Sequence, residues 1–188
     1  MGERTIDPLV RATVMENIVL IPEIQQEFDR YLEEYAESSP AHTRMEDYLR
    51  WSFVLEAISE KTSLLDIGVG AGQFINAAAR TEKFSRVHGI DIVRHSKFLE
   101  SNTSEVEMTY ESVTKMHFDD NEFDVLTCME VIEHLETDEM ESAISELRRV
   151  ARERVIITVP YSEKEPIPNY HKQRYTLSRI RKLFPSAT

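Results

Sequence analysis

Apolar positions along this chain change their period near residue 60. Before it, segment 22–37 and segment 43–60 carry apolar side chains three and four positions apart, among them Tyr31, Leu32 and Tyr48. A stripe of that period predicts amphipathic helices. We therefore expect residues 1–60 to be a helical N-terminal region, which either packs into the core or forms a cap or lid over a ligand site.

After residue 60, short apolar runs alternate with helical patterns. The apolar runs predict strands, at 63–67, 87–92, 105–110, 123–128 and 155–159. The helical patterns between and after them lie at 73–80, 138–151 and 176–184. Such alternation is typical of right-handed βαβ units with a parallel sheet covered on both faces. Residues 61–188 are thus predicted to form one α/β domain with a doubly wound, mostly parallel sheet.

Composition narrows the class of protein. The 188 residues are 41% hydrophobic and 30% charged, as in ordinary globular proteins. The chain shows neither a signal-peptide pattern nor an apolar run near the roughly 18 residues that span a bilayer. Cys128 is the only cysteine, which excludes an internal disulfide. We expect a cytoplasmic protein without a membrane segment.

The charge of the chain disfavours nucleic acid as a partner. Its net charge is −12, from 34 acidic and 22 basic residues, and a field of that sign repels phosphate backbones. Basic residues cluster at 148–154 and 172–182. We favour solvated helix faces for these clusters over a local nucleic-acid patch.

A glycine loop after the first predicted strand is the clearest candidate for a binding site. Gly68, Gly70 and Gly72 alternate there and lead into a helix, as loops that bind nucleotides do. The third glycine comes one position earlier than in a dinucleotide fingerprint. Asp66 precedes the loop and suits a cationic amine better than a pyrophosphate. Asp91, at the end of the second strand, either accepts from ribose hydroxyls or caps the next helix.

Together these segments resemble the class I S-adenosylmethionine-dependent methyltransferases, in particular their small-molecule, type 11/12-like branch. The resemblance lies in four stretches: DIGVGAG at 66–72, GIDI at 89–92, residues 117–135 and residues 171–184. It covers roughly residues 60–184. It implies a Rossmann-like methyltransferase fold, S-adenosylmethionine as the cofactor and transfer of a methyl group to an acceptor.

The resemblance also implies roles for individual residues in cofactor binding. Asp66 would lie near the amino group of the methionine moiety, above a floor of three glycines, Gly68, Gly70 and Gly72. Asp91 would hold the ribose, and Ile92 would pack against the adenine.

Two further contacts follow from the resemblance. Members of the family often place an acid after the third strand, near the adenine amine. Ser112 stands at that place here, with Glu111 beside it, which departs from the pattern. Cys128 and Met129, at the end of the fourth strand, would line the pocket beside the sulfonium.

Glu130, Glu133 and His134 follow the fourth strand at the mouth of this site. If they open a helix, they share one face. Three interpretations stay open: a structural cap or ion pair, His134 as general base, and a divalent metal site completed by His171. We assign catalysis to His134 and Glu130 and no ligand to a metal, with a divalent metal as the least favoured interpretation.

The acceptor is expected to be a small molecule. The Glu130–His134 stretch is similar both to quinone O-methyltransferases and to the metal-binding motif of small-RNA terminal 2′-O-methyltransferases. An RNA or protein methyltransferase, with metal-assisted 2′-O transfer in the RNA case, is therefore one alternative. The other is a catalytically inactive, methyltransferase-like interaction subunit.

The end of the chain suggests an open sheet edge. The family usually finishes with two more strands, and the sequence ends at Thr188 without a pattern for them, so that either the sequence is truncated or the protein has lost that edge. We expect strand 155–159 to lie near an exposed edge, where it could pair with a second copy in a homodimer.

Overall fold

The computed structural model of this protein describes residues 22–24, 26, 41–59, 62–96, 98, 105–161, 163 and 165–185. Most of the helix predicted over 22–37 lies outside these residues. The second predicted N-terminal helix is present as α1, Ala41–Glu56.

From the first strand onward, the described elements are five strands with helices between or after several of them. The strands are β1 Thr62–Ile67, β2 Phe84–Asp91, β3 Val106–Tyr110, β4 Phe123–Met129 and β5 Ala151–Thr158. The further helices are α2 Gln73–Arg80, a 3₁₀ turn Ile132–His134, α3 Thr137–Val150 and α4 Leu177–Leu183. None of the helices in the described part of the chain is long and apolar enough to span a membrane.

The five strands form one parallel sheet in the order β3-β2-β1-β4-β5. This confirms the predicted doubly wound, Rossmann-like fold. The direction of winding reverses between β1 and β4, and a crevice opens at the carboxyl ends of strands at such a point. The sheet therefore positions the loops after β1 and β4 side by side.

Alternate strand residues fill two core clusters, one on each face of the sheet. On one face Leu64 packs with α1 and α2, through residues such as Trp51 and Ile75. On the other face Leu65 packs with α3. The side-chain period of 2 in a strand explains this division. Because α1 shares the first cluster, it is part of the same core as the sheet.

Three element bounds differ from the predictions for physical reasons. β5 begins at Ala151 rather than at residue 155, since its exposed first half also pairs with β4, although Arg152 and Glu153 break the apolar pattern from which the strand was predicted. β2 ends at Asp91, which leaves Ile92 in the following loop. Glu130 does not open an α-helix, because its backbone is left-handed (φ 55°) and only a 3₁₀ turn follows.

The basic clusters are tied into the fold. Arg149 donates to the carbonyl oxygens of Met116 and Phe118 and to Glu146 and Asp120. Four other basic residues also have partners, namely Arg148 with Leu183 O, Arg152 with Asp124, Arg154 with Ala57 O and Lys172 with Glu136. These contacts fit the interpretation of structural surface charges rather than a nucleic-acid patch.

Candidate functional site

The candidate residues converge at the carboxyl edge of the sheet. Each predicted cofactor residue lies at or next to the end of β1, β2, β3 or β4, and the catalytic candidates follow β4 directly. This convergence is a consequence of parallel pairing, which places all carboxyl ends at the same edge.

The glycine loop is a backbone cradle. Gly68, Gly70 and Gly72 all have positive φ, at 76°, 57° and 86°. A Cβ at Gly70 would meet no atom within 4 Å, whereas a Cβ at Gly72 would collide with the ring of Phe98. Gly70 thus faces open space on the ligand side, while Gly72 is fixed by packing beneath the loop.

Asp91 joins this loop to the end of β2. Its Oδ2 accepts from the backbone N–H of Gly70 at 2.8 Å, and its Oδ1 accepts from that of Val93 at 2.8 Å. A carboxylate oxygen has more than one acceptor site, so both oxygens retain capacity for hydroxyl donors. Asp91 therefore both orders the loop and presents acceptor atoms at its rim.

Asp66 lies under the loop, at the end of β1. It is only 3% exposed, and Thr127 Oγ1 donates to its Oδ1 at 2.7 Å. Burial raises the pKa of Asp66 to about 7, while the bond from Thr127 opposes this shift. A cationic group brought to this carboxyl would favour its ionised form.

The loop after β2 presents apolar side chains to solvent. Ile92 is 75% exposed and Val93 57% exposed, which is unusual for residues of their type. Nearby, the guanidinium of Arg94 lies 4.5 Å from the ring centre of Tyr110. The loop thus offers an apolar surface at the position predicted for an adenine.

The residues after β3 are held by local partners. Glu111 Oε1 lies 2.8 Å from Nδ1 of His117. Ser112 Oγ lies 2.8 Å from the hydroxyl of Thr114. Both side chains are half-buried at the edge of the site.

Cys128 and Met129 lie on opposite sides of β4. Cys128 is fully buried in the cluster that packs on α3, so its thiol does not line the crevice as predicted. The cause is strand alternation, which points neighbouring side chains to opposite faces. Met129 is half-buried and packs toward the face that carries α1 and α2.

Glu130 is held by two other elements. Its Oε1 accepts from Thr158 Oγ1 at 2.9 Å and lies 3.6 Å from Nε of Arg50 on α1. Arg50 is a contact that the sequence patterns did not reveal, since it comes from the N-terminal region. The pair places a positive charge at the mouth of the crevice.

Glu133, His134 and His171 form a cluster, in which one potential ligand atom from each lies within 4.8 Å of the other two. The Glu133 side chain is 1% exposed and that of His134 43%. Among the described residues, Oε2 of Glu133 has no hydrogen-bond partner. Burial raises the pKa of Glu133 to about 7.

The segment after β5 brings His171 to the 3₁₀ turn. The backbone N–H groups of Lys172 and Gln173 both donate to Glu133 O, at 2.7 and 3.0 Å. The buried Tyr175 donates from its hydroxyl to Ile132 O at 3.3 Å. These bonds fix a segment that is distant in sequence directly against the turn.

Two contacts set the orientation of the histidine rings. Nδ1 of His134 lies 3.1 Å from Tyr170 O, and Nδ1 of His171 lies 2.9 Å from Oε2 of Glu163. Glu163 is buried, and nothing in the spacing of the sequence pointed to it. A carbonyl and a carboxylate accept, so each Nδ1 is the donor in its contact, and Nε2 is the nitrogen that has the lone pair in the neutral ring.

A family model described as "Methyltransferase domain" matches residues 65–159. No curated protein sequence matches the chain.

Several solved structures share the fold. A SAM dependent methyltransferase from Aquifex aeolicus is 21% identical with a TM-score of 0.59, over 72% of this chain and 77% of that one. Magnesium protoporphyrin IX methyltransferase from Synechocystis PCC 6803, solved with bound SAH, is 16% identical with a TM-score of 0.61, over 84% and 82%. The 1,6-didemethyltoxoflavin-N1-methyltransferase of Burkholderia thailandensis is 17% identical with a TM-score of 0.61, over 99% and 81%.

Other solved relatives are longer than the matched region. The chain covers 66% of the YcgJ protein from Bacillus subtilis and 54% of the [4+2]-cyclase SpnF. At these identities the likeness establishes the fold.

Proposed function

Because the chain belongs to the methyltransferase-domain family, whose fold takes S-adenosylmethionine as cofactor, we propose that it transfers the methyl group of S-adenosylmethionine to a small-molecule acceptor. The observation that carries this proposal is the glycine cradle at the reversal point of the sheet, with Asp91 bound to the loop.

The residues of the cradle suit this cofactor. Open space above Gly70 admits a ligand to the backbone, and Asp91 has acceptor capacity left for two ribose hydroxyls. Ile92 offers an apolar surface for the adenine, with Glu111 and Ser112 at its edge. Asp66 supplies a buried carboxyl for the ammonium group of the methionine moiety, and Met129 faces the sulfonium side.

In this proposal, the residues after β4 activate the methyl acceptor. When bound, S-adenosylmethionine supplies a methyl group that the sulfonium charge already activates. The lone pair of an acceptor oxygen or nitrogen forms the new bond to the methyl carbon, and the electron pair of the broken S–C bond stays on sulfur. His134, with Nε2 free, lies where the acceptor gives up its proton, and Glu130 is a second polar group there.

A small acceptor agrees better than a macromolecule with the net charge of the chain and with the substrates named for similar solved structures. The net charge is −12, and the basic clusters are occupied by structural contacts. The Synechocystis and Burkholderia enzymes are named for small-molecule substrates. The same proposal includes three further points. They are a cytoplasmic location, a role of α1 as part of a cover over the crevice, and a domain division at residue 60.

Calorimetric titration with S-adenosylhomocysteine tests the proposal. We expect one equivalent to bind wild-type protein and NADH not to bind. Asp91→Ala removes two hydrogen bonds to a charged group, so the affinity of the variant for S-adenosylhomocysteine should fall by about 100-fold or more. Asp119→Ala, an exposed aspartate away from the crevice, is the matched control and should bind as wild type does.

Two results of this titration would contradict the proposal. If the wild-type protein binds neither ligand, the chain is not a methyltransferase as it stands, and the interaction-subunit alternative takes its place. If Asp91→Ala binds S-adenosylhomocysteine as tightly as wild type, the cradle is not the cofactor site.

A further inference from the structure

The Glu133, His134 and His171 cluster contains a buried carboxylate oxygen, Oε2 of Glu133, without a hydrogen-bond partner among the described residues. The Glu133 side chain is 1% exposed. A buried carboxylate that is neither paired nor hydrogen-bonded is costly, so it needs a stated compensation. A cation is the ligand that this environment lacks.

The contacts of His134 and His171 engage Nδ1 of each ring and leave Nε2 as the atom that can bind a metal. The Nδ1 proton of His134 goes to a backbone carbonyl and that of His171 to the buried carboxylate of Glu163, with His171 and Glu163 side chains 10% and 8% exposed. Metal-binding histidines almost always donate their second N–H in this way, which fixes the tautomer and the ring orientation. In each neutral ring Nε2 is then the nitrogen available to a metal.

The spacing of the three groups is close to that of a coordination sphere. His134 Nε2 lies 3.9 Å from Glu133 Oε1, and the whole cluster fits within 4.8 Å. Bonds of about 2.0 to 2.1 Å in a tetrahedral site put neighbouring ligand atoms about 3.3 Å apart. Small side-chain rotations close the remaining difference.

We propose that Glu133, His134 and His171 bind one divalent transition-metal cation of the Zn²⁺ type, with Glu163 as the residue that positions His171. Two imidazoles and one carboxylate favour such a cation over Mg²⁺, which prefers oxygen ligands. Glu130 is not a ligand, since Thr158 and Arg50 hold it apart from the cluster.

The inference rests on the proposed function where it concerns acceptor activation. When bound there, a cation would lower the pKa of an acceptor hydroxyl, whose proton would pass to solvent water, and His134 would hold the cation instead of taking that proton. The binding of the cation is independent of that step and is tested separately.

The test is titration of full-length, chelator-treated protein with Zn²⁺ by calorimetry and with Co²⁺ by its visible absorption. We expect one equivalent of each to bind, with a tetrahedral-type Co²⁺ spectrum and much weaker binding of Mg²⁺. His134→Ala and His171→Ala should lower Zn²⁺ affinity more than about 100-fold, beyond the effect of losing an outer partner. Glu163→Gln should lower it about 10- to 100-fold and leave the Co²⁺ spectrum tetrahedral.

His117→Gln is the matched control, because His117 also lies against a glutamate, Glu111, but at an exposed position outside the cluster. Its Zn²⁺ affinity should equal that of wild type. Since the His134 side chain is 43% exposed, His134→Ala keeps the test valid even where a buried variant fails to fold. Circular dichroism checks the fold of each variant.

The inference is overturned if wild-type protein binds no stoichiometric Zn²⁺ or Co²⁺, or if the ligand variants bind as tightly as His117→Gln. Titration of the same samples with S-adenosylhomocysteine separates this failure from that of the proposed function. If the protein binds S-adenosylhomocysteine but no metal, the metal site is refuted. His134 then remains the general base of the proposed function. Metal binding without cofactor binding leaves the cluster standing and refutes the methyltransferase.

Discussion

Asp66 shows how a single buried carboxyl group links the cofactor site to stability. Burial raises its pKa to about 7, the bond from Thr127 opposes this, and the charge of Asp91 adds to the shift. In the folded protein Asp66 therefore holds its proton to a higher pH than in the unfolded chain. Linkage then requires the free energy of unfolding to fall as the pH rises from about 4 through 7.

Asp66→Asn isolates this effect, because asparagine keeps an acceptor for Thr127 and cannot ionise. The shift from 3.8 to about 7 corresponds to at most about 4 kcal/mol. We expect the variant to gain stability relative to wild type by up to that amount between pH 4 and pH 8. Urea unfolding without cofactor measures this gain, with Asp119→Asn as the exposed control. Parallel stability curves for wild type and Asp66→Asn would show that Asp66 titrates normally.

At the residue scale, the sequence identified candidate site residues but did not give the direction of every side chain. Asp66 and Asp91 could be singled out, because their chemistry follows from their distance to the glycine loop along the chain. Cys128 and Met129 were predicted to line the pocket together. Their side chains diverge, since adjacent strand positions face opposite sides of the sheet.

At the scale of elements, two glycines of the loop have the same left-handed backbone conformation but different surroundings. Gly70 has a left-handed conformation above open space, whereas Gly72 has one over the ring of Phe98. Alanine at either position is strained, but only at Gly72 does its Cβ collide with the core.

Gly70→Ala and Gly72→Ala form a matched pair for this loop. We expect Gly70→Ala to lower the free energy of unfolding by about 1 to 2 kcal/mol, the cost of the left-handed backbone. It should also weaken S-adenosylhomocysteine binding more than about 10-fold, since a methyl group enters the cradle. Gly72→Ala should lose about 1 to 3 kcal/mol more stability through overpacking. Urea unfolding and calorimetric titration provide both readings, and wild-type binding by Gly70→Ala would contradict a ligand above that residue.

The turn after β4 shows what an element predicted from spacing can miss. A helix over 130–134 would have placed Glu130, Glu133 and His134 on one face. The left-handed Glu130 and the 3₁₀ turn instead direct Glu130 to Thr158 and Glu133 into the interior. The turn takes this form because the segment after β5 donates two N–H groups to Glu133 O, a contact between distant parts of the chain.

At the scale of the whole molecule, β5 forms one side of the sheet in the described part of the chain. Its second half is apolar, and beside it runs a groove of about 870 Å³ whose lining includes Ile144, Leu147, Ile157, Ile180 and Phe184. Unpaired backbone groups next to apolar side chains favour pairing with another chain.

We therefore expect reversible association of two copies through β5. Light scattering should give a mass that rises from monomer toward dimer with protein concentration. Ile157→Lys adds a charge to the apolar lining of the groove and should hold the protein as a monomer, whereas Glu153→Gln, an exposed lining position on the same strand that gains no charge, should not. A constant monomer mass for wild type at every concentration would refute association at this edge.

The sequence by itself determined the parallel α/β fold, the position of the glycine loop and the place of Asp91 at the end of the second strand. These features follow from local patterns, namely apolar period, glycine spacing and the rule that parallel strands end at one edge. The tertiary structure alone decided that Phe98 lies under Gly72, that Arg50 reaches Glu130 and that Cys128 faces α3.

The same division applies to the histidine cluster. The sequence placed Glu133 and His134 at the mouth of the site and named His171 as a third member, yet it ranked a metal last. Docking of the segment after β5 brought His171 to Glu133 and supplied Glu163 behind it. Approach of side chains across such a distance along the chain depends on packing and backbone hydrogen bonds, which no local period encodes.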